Sequence, residues 1–509
     1  MKRKLRRQLE QGKRKILRQL APFIGGAEPR SAGKPEFSGP RPTYEMAERI
    51  EAISYGGIGV LHDLVRQVGL PEQLDAQLDL LKRHRPYRES DHVLNIAYSV
   101  LAGGHVLDDI EVRRNDVAFL DALGARAIPD PTTAGDFCRR FDEGDIWSLM
   151  GAISDTRLEV WKRSDRDFSQ ETARIDADGS IVPTTGECKD GMDLSYNGIW
   201  GYHPLLISLA NTKEPLFIVN RSGNRPSHEG APAALDQAIE LCRAAGFRDI
   251  LLRGDTDFSM TAHLDRWDAE GTRFVFGYDA NRAFVDKAEN LEKHDYQELV
   301  RKANEQFEKR RAKPSRIKKE IVRERGYFNQ RLLREDTAEF EHKPNKAKKT
   351  YRIVVLRKAI QEERGQVNLG WNYRYLFFVT NDWSLSQDEV IAEAHDRCNQ
   401  ENVIAQLKNG VRALRAPLNT LEANWAYMVM ASLAWTIKAW FALLLPVSPR
   451  WREAHEADQR RILNMDFRTF FQSFILIPAQ IIRSGRRLIY RVLAWRPELP
   501  ILFRLIEAL

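Results

Sequence analysis

The stretch Ile175-Asp176-Ala177-Asp178-Gly179-Ser180 decides how this chain of 509 residues is read. It closes a run, 173–178, with the composition of a buried strand. Side chains alternate along a strand, so Asp176 and Asp178 face the same way. A second run, Leu252-Arg253-Gly254-Asp255-Thr256-Asp257-Phe258, is apolar and then acidic, just before a helical pattern. Open α/β sheets present their chemistry at such strand ends. Working outward, strands are expected at 173–178, 205–209 and 216–220, a helix at about 229–245, a strand at 249–253, a helix at 259–270 and a strand at 273–278. That order predicts a mixed α/β domain.

Beyond 283 the pattern breaks. Residues 283–370 read as charged helical stretches with one strand, 351–356. A strand at 375–380 resumes the domain, and a long helix follows over about 387–409. We therefore read 170–282 and 371–445 as one catalytic domain and 283–370 as a basic domain inserted into it. Ahead of them 43–165 is helical in pattern: Asp91 opens a segment that ends on Gly104, and Pro131-Thr132-Thr133 opens another. Short helices joined by tight turns suit either a DNA-reading helix-turn-helix or an ordinary bundle. Residues 1–42 are a basic arm and a Pro/Gly-rich linker, and 446–509 form a C-terminal helical region. The apolar stretch 425–445 is long enough to span a bilayer, but Lys438 in its interior favours a buried helix, with no membrane partner.

Lys+Arg number 78 and Asp+Glu 71, a net of +7. The positive charge is concentrated: residues 1–20 carry +8 and 301–358 carry +12, leaving −13 on the other 431. An acidic body with two basic segments points to a polyanionic partner. Cys138, Cys188, Cys242 and Cys398 form no CxxC pair, which excludes a disulfide framework and a cysteine-based zinc site and fits a reducing compartment. No apolar stretch follows the basic N-terminal residues, so a secretory signal is not expected.

Clustered carboxylates raise one another's pKa, and a divalent cation keeps them ionised. An oxygen-only set favours Mg²⁺ or Mn²⁺. Caps and turns are the alternative use of either cluster alone. A third element lies in His395-Asp396-Arg397-Cys398-Asn399-Gln400-Glu401-Asn402-Val403-Ile404-Ala405-Gln406-Leu407-Lys408. At about 100° per residue, Arg397, Glu401 and Lys408 share one helical stripe. A carboxylate between two cations suits a metal ligand beside phosphate contacts, and a salt-bridged solvent face has the same spacing.

Asp178, Asp255 and Glu401 in that order, with Arg397 and Lys408 around the glutamate, resemble the DDE transposases of bacterial insertion sequences, and more narrowly the insertion-sequence 1380 family. Supporting matches are Asp176-x-Asp178-x-Ser180, Gly201-Tyr202-His203-Pro204-Leu205-Leu206 and Arg253-Gly254-Asp255-Thr256-Asp257-Phe258. Others are Ala102-Gly103-Gly104 with Asp108-Asp109-Ile110-Glu111-x-x-Arg114, and Pro478-Ala479-x-Ile481-Ile482-x-x-Gly485-Arg486-Arg487. Together they span about 50–495. Ala394 stands where relatives carry tyrosine, and Asp257 where they carry glycine. Asp255 is preferred to Asp257 because it falls at the strand end.

The resemblance implies a ribonuclease-H-like core holding two Mg²⁺ or Mn²⁺ ions on Asp178, Asp255 and Glu401, with Asp176 an alternative ligand or a support to one. It implies that Arg397 and Lys408 touch phosphates, and that the insertion grips DNA through Lys309, Arg310, Arg311, Lys313, Arg316, Lys318 and Lys319. The implied activity is binding of terminal inverted repeats by 43–165, cleavage of the element's ends and strand transfer by two-metal chemistry. A homodimer on double-stranded DNA, in the bacterial cytoplasm at the nucleoid, goes with it. Two other readings stand beside this one. A haloacid-dehalogenase-like phosphatase would use Asp176 as nucleophile and Asp178 as general acid, and a domesticated relative would bind DNA without catalysis.

Overall fold

The structure is a computed structural model that describes residues 51–299 except 83 and 85, residues 328–509 except 365, 366, 485, 486 and 494, and positions 11 and 14. The basic arm and linker expected over 1–42 lie outside the described residues but for those two positions, as do Lys309, Arg310, Arg311, Lys313, Arg316, Lys318 and Lys319. The chain forms two compact units, one from 1–166 with 406–509 and the other from 167–405.

The continuous unit, 167–405, is built on a nine-stranded sheet. Its strands in chain order are β1 (Thr172–Gly179), β2 (Leu205–Leu209), β3 (Glu214–Val219), β4 (Asp249–Gly254), β5 (Arg273–Tyr278), β6 (Gln297–Glu298), β7 (Phe328–His342), β8 (Tyr351–Arg364) and β9 (Val367–Thr380). Their spatial order is β6-β7-β8-β9-β5-β4-β1-β2-β3. Neighbours β1, β4 and β5 run parallel, and every other pairing is antiparallel. Parallel strands are covered on both faces and so lack polar alternation. Phe274, Val275 and Phe276 of β5 are accordingly all fully buried. Helix α1 (Ala231–Ala244) packs on β1 and β2, and α2 (Gln387–Asp396) on β4, β5 and the long strands. Val390 and Ile391 of α2 join Leu251, Val275, Val354 and Leu356 in one apolar cluster.

The strands expected at 205–209 and 273–278 form over those residues, and β1, β3 and β4 differ from expectation by one or two at their ends. The stretch around 283–370 departs further. Residues 328–342, read as helical from their charges, form β7, and the strand at 351 continues to Arg364. The charges are spent across strands instead of along a helix. Glu335 lies opposite Lys358 and pairs with it at 3.5 Å, while Glu339 takes Arg352 at 2.5 Å. The described part of this stretch therefore extends the main sheet. The expected 387–409 helix also divides: it breaks at Arg397, resumes as α3 (Cys398–Ala405) and gives way to a π-helical turn, Gln406–Gly410. Over the expected helix 259–270 only Leu264–Ala269 is α-helical.

The other unit is helical and centred on Leu421–Leu443. That helix is long and apolar enough to cross a membrane, yet Ala423 to Leu443 are all buried inside the protein. Thr420 caps it by accepting from the Ala423 amide. Helices Glu89–Leu101, Glu143–Arg163 and Arg452–Asn464 pack on it. Lys438, the residue that argued against a membrane span, donates its Nζ to the Leu463 carbonyl at 2.8 Å and lies 3.8 Å from the Trp435 ring. A buried ammonium needs such partners. Asp91 does not cap the helix it was expected to open. It sits at the third helical position and accepts from the Arg88 amide at 2.9 Å, half of a capping box. The C-terminal region is not helical throughout, because Ala479–Ser484 and Arg487–Val492 form a hairpin that pairs with Glu51–Ile53. Residues 406–445, grouped by pattern with the catalytic domain, pack in this unit.

Trp440, in the last turn of this helix, is fully buried. Trp440→Ala should cost about 3–5 kcal/mol and lower the thermal midpoint of the full chain; an unchanged midpoint would show that the helix is not the core of its unit.

Candidate active site

Three elements of the 167–405 unit converge on one place. Strands β1 and β4 are parallel neighbours with Asp176 opposite Arg253. Two residues further on, at the carboxyl ends of both strands, come Asp178 and Asp255. Adjacent strands lie about 4.8 Å apart, so the register alone brings these carboxylates side by side. Asp255 has just left β4 and caps the short turn Thr256–Phe258 by accepting from the Asp257 amide at 3.0 Å. Asp257 lies within that turn and is exposed.

Helix α3 supplies the third carboxylate. Gln400, the residue before Glu401, is 1% exposed, and its Nε2 donates to the carbonyls of Asp176 at 3.0 Å and Leu206 at 3.1 Å. The helix is thereby pinned to β1 and β2. At the helix break Arg397 reaches back, with Nη1 3.3 Å from Asp178 Oδ2. Burial pushes the Asp178 carboxyl up to about 6; Arg397 opposes the shift, and Asp255 and Glu401 add to it. Burial also raises Asp255, with Arg397 again opposing and Asp257 adding. Three carboxylates and one guanidinium thus share a field.

Asp176 has a different employment. It is 1% exposed, and both oxygens are held by Arg253, at 2.6 Å from Nε and 3.0 Å from Nη2. Arg253 Nη1 continues to Glu393 Oε2 at 2.9 Å, and Glu393 is also held by Arg174 at 2.6 Å. An alternating chain of charge, Asp176–Arg253–Glu393–Arg174, therefore joins β1, β4 and α2 directly behind the site. Burial raises the Asp176 pKa against the pull of Arg253. For Glu393 burial acts upward too, but Arg174 and Arg253 outweigh it and hold the carboxyl below the usual range.

Two glycines make room. A Cβ on Gly277 of β5 would come 2.7 Å from the Thr256 amide nitrogen and 3.0 Å from the Asp255 carbonyl carbon, so this glycine lets the chain carrying Asp255 cross the strand. A Cβ on Gly179 would meet His203 Nε2 at 2.6 Å.

Of the residues singled out in the sequence, Asp178, Asp255, Glu401 and Arg397 come together, and Asp176 stands behind them. Lys408 falls on the π-helical turn, in the other unit. Gln400, Gly277 and Glu393 were not anticipated. A glycine alone inside an apolar strand is a signal of close backbone approach, whereas nothing in the polar run around Gln400 marks it. Among the described residues, the trio whose ligand atoms all lie within 4.8 Å of one another is Asp79, His84 and Glu89, in the helical unit. There the buried Glu89 accepts from the Leu80 and Leu81 amides and pairs with His84 at 3.2 Å, closing a loop.

A family model described as transposase DDE domain group 1 matches residues 50–509. The chain belongs to that family. It is a DDE-type transposase, and the acidic strand ends and the helix behind them lie within the matched residues. Among solved structures, the piggyBac transposase synaptic complex with hairpin DNA, determined by cryo-electron microscopy, is 9% identical, with a TM-score of 0.33 over 83% of this chain and 86% of that one. No curated protein matches the chain.

In the transposase, Gly277→Ala should displace the Asp255 turn and abolish activity while lowering the thermal midpoint only slightly. Wild-type activity would remove the glycine from the site's construction. The raised Asp178 pKa sets a pH dependence. Between pH 4 and 6 the folded, metal-free chain retains a proton that the unfolded chain releases, so stability falls as pH rises through this window, by about 3 kcal/mol from this group. Asp178→Asn should therefore be more stable than wild type at pH 7 without metal and equal to it near pH 4. Parallel melting curves at the two pH values test this.

Proposed function

We propose that this chain is an insertion-sequence transposase of the 1380 type that binds the element's terminal inverted repeats, cuts its ends and transfers the strands to target DNA. Asp178, Asp255 and Glu401 are its catalytic carboxylates. The observation that carries this reading is geometric: Asp178 and Asp255 stand at the ends of adjacent parallel strands, Arg397 lies 3.3 Å from Asp178, and the helix carrying Glu401 is tied to β1 through Gln400. The sheet with its central parallel strands and acidic ends on adjacent β1 and β4 supports a ribonuclease-H-like core.

The cofactor we assign to this chemistry is a pair of divalent metal ions, and the residues present fit them. The donor set is oxygen-only, the choice of hard cations such as Mg²⁺ and Mn²⁺. Its carboxylates resist ionisation together, a strain that a cation relieves. Bound there, two such ions would supply Lewis-acid activation of a nucleophile and stabilisation of a leaving 3′-oxygen in an in-line displacement. Asp178, Asp255 and Glu401 would hold them. Arg397 contacts the phosphate beside the scissile bond, and Asp176 fixes Arg253 and through it the strand ends. Lys408 and the basic residues 309–319 add salt-dependent affinity for the DNA backbone. Residues 43–165 read the repeats, and cutting two ends calls for a homodimer working at the bacterial nucleoid.

The phosphatase alternative needs Asp176 as an open nucleophile, and a carboxylate with both oxygens on Arg253 is closed to a substrate. The decisive test is cleavage of a labelled duplex bearing the flanking inverted repeat, with Mg²⁺ or Mn²⁺. Wild type should nick at the element end, and Asp178→Asn, Asp255→Asn and Glu401→Gln should each lose nicking by at least about 10³-fold while still binding the duplex. Tight binding with no cleavage by wild type would instead identify a domesticated, non-catalytic relative.

A further inference from the structure

We propose that Gln400 is a positioning residue that sets where Glu401 stands relative to Asp178, and thereby tunes the site's affinity for Mg²⁺. The inference rests on reading these carboxylates as metal ligands. Its basis is the way α3 is held. The helix has eight residues, broken from α2 at Arg397 and followed at once by the π-helical turn. A helix this short has little rigidity of its own, so its placement depends on what ties it down. Gln400 uses both amide protons to do so, one on the Asp176 carbonyl of β1 and one on the Leu206 carbonyl of β2. Leu206 is the registered partner of Asp178 across the antiparallel pair. The amide therefore references the helix to the very rung of the sheet that carries the first carboxylate, one residue before Glu401.

Packing does not explain an amide here. Gln400 Oε1 is buried with no hydrogen-bond partner among the described residues, and methionine would fill the same volume without leaving a buried acceptor unpaired. What methionine lacks is the pair of donors. Groups that orient a metal ligand without touching the metal typically change metal affinity by about 10–100-fold when removed. Mg²⁺ demands near-ideal octahedral geometry, so a misplaced ligand should weaken Mg²⁺ more than Mn²⁺.

The experiment compares full-length wild type, Gln400→Met and a matched control, Gln459→Met. Gln459 is likewise buried and donates to a carbonyl, that of Leu445 at 2.8 Å, but in the helical unit. Mn²⁺ binding is titrated directly by electron paramagnetic resonance of the free ion, and the Mg²⁺ concentration for half-maximal nicking is measured alongside. Gln400→Met should bind Mn²⁺ about tenfold more weakly and need at least about tenfold more Mg²⁺. Mn²⁺ should restore more of its nicking than Mg²⁺ does. Gln459→Met should behave as wild type in all three. If Gln400→Met does not fold, Gln400→Asn, which keeps the amide on a shorter stem, should show an intermediate shift. Wild-type Mn²⁺ affinity and Mg²⁺ dependence in a folded Gln400 variant, with Asp178→Asn still losing both, would overturn the role of Gln400. If Asp178→Asn binds Mn²⁺ as wild type does, the metal-site reading itself falls, and the inference with it.

Discussion

The ion pair between Asp176 and Arg253 is the constraint on which the rest of the 167–405 unit turns. Both side chains are 1% exposed, where a lone charge is prohibitively costly and a pair survives only with its hydrogen bonds complete. Here they are complete, because Arg253 spends its remaining reach on Glu393, and Glu393 is held in turn by Arg174. The pair joins β1 to β4 two residues before Asp178 and Asp255, and the extension to Glu393 ties in the helix that leads to Glu401. Replacing these ions with apolar residues of equal volume would build a sound interior. It would also leave nothing to prescribe the angle at which α2 arrives.

In front of that satisfied network stands an unsatisfied one. Asp178 and Asp255 sit where burial and one another disfavour their charge, with Arg397 the cation that opposes the effect for both. Rigidity behind and electrostatic strain in front are complementary. The strained groups cannot relax by turning away, since the strands that carry them are fixed from beneath. Where local rules of stability are violated, compensation is found nearby, and here it lies one side-chain layer away.

Much of this was legible in the chain itself. Apolar runs ending in Asp178 and Asp255 read as strands with carboxylates at their ends because burial and alternation write directly into residue type, and Lys438 correctly turned the 425–445 stretch inward. The failures have physical causes. The charges of 328–342 pair across strands with Lys358 and Arg352, partners more than ten residues away that no local spacing reveals. The stripe Arg397–Glu401–Lys408 assumed an unbroken helix, and the break at Arg397 and the π-helical turn after Ala405 disperse it. Asp176 looked equivalent to Asp178 because position on a strand gives a face, not a partner. Gln400 was invisible since its role lies in two main-chain carbonyls, which carry no residue identity.

The division of the chain bears on how it is made. The helix Leu421–Leu443 is the core of a unit whose other half ends at Arg166, and the carboxylate-bearing unit is synthesised whole in between. At ribosomal speeds of roughly 5–20 residues per second, the early helices wait on the order of 10–50 seconds for the partner they pack on. During that interval the sheet unit has everything it needs to fold, while the helices Glu89–Leu101 and Glu143–Arg163 hold their apolar faces open to chaperones or to one another. A gene truncated between the codons for Glu401 and Leu421 would yield a protein with every acidic residue of the candidate site and a helical unit without its centre.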